Sequence, residues 1–366
     1  MCIAKKHLHY LLRLIIDSVF KRCYTKIKCT FYFLYFMWKP FPFIKNELIR
    51  SFNMIFTNPF DLSNKVNDIL LIGEILVDKI YINHAVKPME KFGGSPANVT
   101  INLHSLGFKP QFFGAVGNDE YGDYLKNELV TRGIDINNIT TFNVKTSIVT
   151  IRNINDVMDV TFDRASDYYL YYTNKLETAL KKVKILHFSY WPLSKEPSKT
   201  TMKKVLDFAK KENIIIGFDP NYHKDLESLD SVGKDELMDI ISKVDIIKPS
   251  LDDSKRIFGD GYSVEEYIQK YQKLGCKLII MTLGEDGLVA SYFGEIIRIA
   301  SVAKDVIDVT GAGDAFWSGL YAGILQRESV LSALKIGLIC SSYSLKQVGA
   351  ITNIPNIKYI IKELTG

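Results

Sequence analysis

The stretch Thr310 to Trp317, TGAGDAFW, places an acidic side chain at the end of a glycine turn, directly ahead of an apolar run from Ala315 to Leu325. Gly311 and Gly313 let the backbone take φ > 0 or approach a ligand closely, and the apolar run reads as a buried helix beginning there. Free N–H groups at such a helix start form an anion site. A carboxylate beside an anion site is a poor partner for phosphate alone, because like charges repel. It suits a base that takes the proton of an attacking hydroxyl, as in phosphoryl transfer. Asp314 is therefore the candidate general base, with Gly311, Ala312 and Gly313 forming the anion-holding turn. The competing reading is a plain strand-to-helix turn whose first-turn acid is favoured by the helix dipole.

Upstream of this turn the chain is long enough for one large α/β domain plus a leader: 366 residues, 47% of them hydrophobic. The net charge of +5 is uneven, since residues 1–50 carry ten Lys or Arg against Asp17 and Glu47, which leaves the remainder near −3. A mildly acidic body gives no electrostatic case for nucleic-acid binding. Residues 1–66 are basic, aromatic and free of glycine. Their apolar runs, Leu11 to Phe20 and Thr30 to Trp38, are too short to span a bilayer. An organelle-targeting presequence, plastid-type or mitochondrial, accounts for the basic excess and low acidity together; a signal anchor, an amphipathic extension or a misassigned start are the alternatives. Cys276 and Cys340 are the cysteines of the body, without CxxC spacing, so neither a disulfide framework nor a structural zinc site is indicated.

From Asp68 the pattern becomes regular. Strands are expected at Ile69 to Ile72, Gln111 to Val116, Ile185 to Phe188, Ile214 to Phe218, Val244 to Lys248, Leu278 to Thr282 and Leu288 to Tyr292. Helices are expected at Tyr121 to Arg132, Lys199 to Glu212, Ser263 to Leu274 and Val330 to Gln347. Alternating strands and helices imply right-handed βαβ units and a mostly parallel sheet flanked by helices on both faces. Within about 78–95 and 145–165 the chain reads instead as exposed strands of a small β lid. A second glycine turn, Gly93-Gly94-Ser95-Pro96-Ala97-Asn98, leads into another helix, and Asn98 there offers a donor and an acceptor to a pair of sugar hydroxyls. Alone, it is equally a structural turn before a capped helix.

Together these segments resemble a known family. DVTGAGDAF, from Asp308 to Phe316, is similar to the second signature of the PfkB family of ATP-dependent sugar and nucleoside kinases, the ribokinase-like superfamily. GGSPAN, with the continuation Ala115 to Gly122 (AVGNDEYG), resembles the first. The resemblance runs from about Asp68 to the C-terminus and implies a kinase domain over residues 67–366 that uses ATP and Mg2+, with K+ in many relatives. It places Asp78, Gly93, Gly94 and Asn98 at the sugar, and Asn221, Thr282, Gly284 and Gly287 at the nucleotide. It gives Asp308 and Thr310, with Gly349 to Thr352, to a monovalent cation, and Arg164 to a substrate-facing position whose alternative is surface charge. It implies Asp253 as an organiser of Mg2+ through water, the alternative being a helix cap.

Two departures stand out. His223 replaces the arginine usual in sugar kinases, and Ser250-Leu251-Asp252-Asp253 replaces the family's NxxE element. The SPAN form of the first signature and Ser250 point to fructokinases and 2-keto-3-deoxygluconate kinases. A nucleoside kinase, or a catalytically idle binding protein, is the alternative. There is no GxxxxGK[ST] loop, HExxH or GxSxG. The expected partner is a small-molecule sugar or nucleoside, with no nucleic acid and no stable membrane insertion; exposed lid strands leave room for a homodimer.

Overall fold

In the first strand of the body, β1 (Asn67–Ile72), side chains alternate between two cores: Ile69 and Leu71 join one buried cluster, Leu70 and Ile72 the other. A strand apolar on both faces belongs in the middle of a covered sheet. The computed structural model describes residues 65–82, 86–154, 157–226 and 232–365, together with Asn58, Phe60 and Leu62. Most of the leader, with the targeting role expected of it, lies outside the described residues. Phe60 and Leu62 pack on the core and Asn58 Nδ2 donates to the Ile324 carbonyl at 2.6 Å, so the folded body extends ahead of the expected 66/67 boundary.

The main sheet has nine strands in the order β13-β12-β11-β10-β9-β8-β1-β4-β5. Besides β1 these are β4 (Gln111–Gly117), β5 (Ile139–Phe142), β8 (Val183–Ser189), β9 (Ile215–Asp219), β10 (Ile246–Ile247), β11 (Leu278–Thr282), β12 (Leu288–Tyr292) and β13 (Glu295–Ile299). All pairings are parallel except those of β12 with β11 and β13. One face carries α1 (Ser95–Ser105), α2 (Glu120–Thr131), α8 (Ala312–Leu325), α9 (Val330–Ser344) and α10 (Ile357–Thr365). The other carries α3 (Asn174–Leu180), α4 (Ser198–Lys211), α5 (Lys234–Ser242), α6 (Leu251–Phe258) and α7 (Val264–Lys273). Among the described residues no helix is long and apolar enough to cross a membrane.

A second sheet, ordered β3-β2-β6-β7, is the lid: β2 (Leu76–Ile82), β3 (Met89–Gly93), β6 (Ile148–Ile154) and β7 (Val157–Asp163). Asp78 is inside a lid strand, which begins at Leu76, two residues ahead of the expected lid segment, because the chain leaves the main sheet at Gly73. The strand expected over Val244 to Lys248 is reduced to Ile246–Ile247, although Asp245 N and Lys248 N still donate to carbonyls of β9 on either side of it. From β1 the chain runs outward through β4 to one edge and through β8, β9 and β10 to the other. The strand order thus reverses beside β1, where an open α/β sheet leaves a crevice at its carboxyl ends.

Candidate active site

At that reversal Gly311 adopts φ 76° as the N-cap of α8, and a Cβ there would lie 2.4 Å from Ala350 Cα. Only glycine meets both demands. The turn delivers Asp314 into the first helical turn, facing α1. Ser95 Oγ donates to one Asp314 oxygen at 2.6 Å and Asn98 Nδ2 to the other at 2.9 Å. Burial pushes the Asp314 carboxyl up to about 6, although both hydrogen bonds oppose the rise. Ala312 N already reaches Val309 O at 3.3 Å. The amides left for an anion at this helix start are thus those of Gly313 and Asp314.

Asp78 comes in from the lid. A Cβ on Gly93 would sit 2.4 Å from Asp78 Oδ2, so the Asp78 carboxyl lies against β3 here only because residue 93 lacks a side chain. Burial, then the Asp314 charge, pushes Asp78 up to about 7. Gly94 accepts the Asn98 amide at 2.8 Å at the start of α1. Asn98 Oδ1 is buried with no partner among the described residues, an unused acceptor on the amide that holds Asp314.

Two charged residues that the fold brings to this site escaped the sequence reading. Glu74 follows β1 and accepts from Ser95 N at 3.1 Å and Ser189 Oγ at 2.8 Å; burial pushes its carboxyl up to about 8, against both hydrogen bonds. Its only sequence signal was an acid inside the apolar run from Ile69 to Val77. The other is Lys248, whose Nζ lies 3.1 Å from Asp219 Oδ2, both side chains 7% exposed. Asp219 Oδ2 also accepts Trp317 Nε1 at 2.8 Å. Burial raises the Asp219 carboxyl, with the Lys248 charge opposing the rise.

The remaining candidates divide. Asp308 accepts Thr310 N at 2.9 Å and Gly349 N at 2.8 Å, which brings together the two segments expected at a monovalent cation. Thr282 ends β11 and bridges to Ser250; Gly284 begins the following 3-10 turn and Gly287 closes it, with Leu283 N donating to Gly287 O at 2.9 Å. Asn221 follows β9, exposed, at φ 33°. Asp253 forms a capping box with Ser250 and also accepts Tyr222 N at 2.8 Å, so both its oxygens serve protein donors. Arg164 is neither surface charge nor joined to the sugar-site residues. Its guanidinium donates to Asp167, Ser194 Oγ and the Trp191 carbonyl, because the buried Asp167 carboxylate needs a counter-charge. His223 lies beside Asp225 and edge-on to Phe162.

A largely buried base at a helix-start anion turn, next to a lid-borne carboxylate and at a strand-order reversal, defines a phosphotransferase that acts on an alcohol. The pfkB family carbohydrate kinase model matches residues 66–357, and the chain belongs to that family. Its relatives include an ATP-dependent 6-phosphofructokinase of Thermoanaerobacterium thermosaccharolyticum, 38% identical over 83% of this chain and 96% of that protein. The structure of Halothermothrix orenii fructokinase superposes with TM-score 0.67 at 36% identity, covering 74% of this chain and 97% of the other. A Vibrio cholerae fructokinase double mutant, solved with fructose, ADP and potassium ion, superposes with TM-score 0.72 at 25% identity, covering 82% and 99%. The chain is an ATP-dependent sugar kinase.

Proposed function

We propose that this kinase transfers the γ-phosphoryl group of ATP to a primary hydroxyl of a ketohexose of the fructose type. One observation carries the reading: Asp314, raised to about 6, lies beside a buried Asn98 Oδ1 that has no partner among the described residues. A sugar hydroxyl supplies the missing donor, and a neighbouring primary hydroxyl gives its proton to Asp314. Asp78 accepts further hydroxyls from the lid side. As the hydroxyl oxygen attacks in line, the Gly313 and Asp314 amides meet the charge on the moving phosphoryl group. The nucleotide lies along Asn221 and the Thr282 to Gly287 loop.

Mg2+ bound with the nucleotide neutralises phosphate oxygens. Asp219 and Asp253 are hard oxygen donors at that edge of the sheet, the kind Mg2+ takes; with its oxygens committed to the helix cap, Asp253 would contact it through water. A monovalent cation such as K+ would be held by the Asp308–Thr310 and Gly349–Thr352 segments, where Thr352 Oγ1 is buried without a partner among the described residues.

Fructose 6-phosphate is the second reading, favoured by the Thermoanaerobacterium relative. Against it, the Arg164 charge is already neutralised by Asp167. ADP release by the full chain with Mg2+-ATP and K+, across fructose, fructose 6-phosphate, 2-keto-3-deoxygluconate and adenosine, decides between them. Turnover confined to fructose supports the proposal. Turnover on the phosphorylated sugar or the nucleoside alone refutes it.

A further inference from the structure

Five carboxyl groups line or underlie the crevice: Glu74, Asp78, Asp219, Asp253 and Asp314. A triphosphate entering that field brings several more negative charges, and Arg164 is committed elsewhere. Among the described residues, the fold brings the Lys248 ammonium to the phosphoryl-transfer turn. Its backbone extends the β9–β10 ladder by one step, Lys248 N donating to Phe218 O at 3.2 Å, so Lys248 and Asp219 stand side by side at the strand ends. Asp219 is itself held by Trp317, three residues beyond Asp314 on α8. The ammonium rises from this anchor to the underside of the turn, where a Cβ on Gly313 would lie 3.3 Å from Nζ. That spacing is tight for any side chain at 313, and glycine leaves the ammonium open to the anion turn.

We propose that Lys248 is a catalytic residue: its ammonium binds a non-bridging oxygen of the γ-phosphoryl group at the Gly313 turn and follows it through transfer. Asp219 and Trp317 are the positioning residues that aim it. An ammonium has three N–H donors; one is engaged by Asp219 and two remain for phosphate. Held in a site with little water, this fixed charge meets the charge that develops on the phosphoryl oxygens without reorganising. A lysine acts here as a compact point charge with three rotatable donors. The alternative is that Lys248 merely neutralises the buried Asp219. The inference rests on the ATP-kinase reading above.

The first test is a crystal structure of the unaltered full chain with Mg2+ and a non-hydrolysable ATP analogue. Lys248 Nζ within hydrogen-bond distance of a γ-phosphate oxygen supports the assignment. A γ-phosphate at Asp314 with Nζ turned away overturns it and leaves the kinase reading intact, while nucleotide absent from the crevice overturns both. The second compares Asp219→Asn with Asp219→Asn/Lys248→Met, so that loss of the ammonium is read in a background that already lacks the Asp219 carboxylate in both proteins. The double variant is expected to bind the triphosphate analogue at least tenfold more weakly than Asp219→Asn by calorimetry, with ADP affinity changed less than threefold. Its kcat on fructose should fall at least a hundredfold further. Equal triphosphate affinity in the two variants refutes the proposal.

Discussion

Replacing Asp314 by Asn separates chemistry from stability, and the structure sets the sign of both effects. The new side chain keeps an oxygen for Ser95 Oγ. Its amide would face the Asn98 amide, but a flip of Asn98 turns the unpartnered Oδ1 to accept it, so the fold is retained. The carboxyl it replaces is raised from 3.8 to about 6, chiefly by burial. A carboxyl with a raised folded pKa holds its proton longer folded than unfolded. Wild-type stability therefore falls as pH rises from the unfolded value to about 6 and stays lowered above it. Two units correspond to about 3 kcal/mol; because the residue is not wholly shielded from solvent, about 1–3 kcal/mol is expected. Asp314→Asn should consequently melt a few degrees higher than wild type at pH 8, with the gain shrinking towards pH 4. Its kcat should fall by a factor of about 10²–10⁴, the contribution of a positioned general base. Melting curves across pH, calorimetric ATP binding and ADP release measure the three quantities. Unchanged kcat refutes the base assignment; lost turnover with a lowered melting temperature refutes the burial argument.

The pH profile of kcat/KM should fall on the acid side through about 6, as Asp314 takes up a proton and ceases to be a base; a flat profile from pH 5 to 8 contradicts the assignment. Gly93→Ala puts a methyl group 2.4 Å from Asp78 Oδ2 and so displaces the lid carboxylate. The expected result is a sugar KM raised at least tenfold with the ATP KM little changed, and equal changes in both would count against placing Asp78 at the sugar. Glu74, held up at about 8, destabilises the fold increasingly as pH rises from its unfolded value towards 8. Glu74→Gln should therefore raise the melting temperature more at pH 8.5 than at pH 5.5, and a gain confined to the acid side would show that the carboxyl is ionised in the folded state.

How much of this could be read from the sequence is clearest residue by residue. β11 and β12 fall on their expected bounds because each is a buried apolar run closed by a turn residue. By contrast, β5, β13, α3, α5 and α10 were not anticipated. Short elements such as the four residues of β5 are held by their neighbours in the fold more than by a periodicity of their own. Asp253 came with two readings, and the capping box with Ser250 shows which contacts it makes. Arg164 was expected at the substrate, but the buried Asp167 carboxylate, invisible as a partner in the linear text, claims it.

The sequence by itself determined the α/β alternation, the two glycine turns and the identity of Asp314, because backbone freedom at glycine, helix starts and side-chain periodicity are local properties. Tertiary structure alone decided what those turns meet. Glu74, Asp219 and Lys248 come from the ends of three different strands, β1, β9 and β10, and Asp78 from a separate sheet. Their burial, their shifted protonation and the direction of the lysine ammonium arise from strand pairing across long chain separations, which no local pattern encodes.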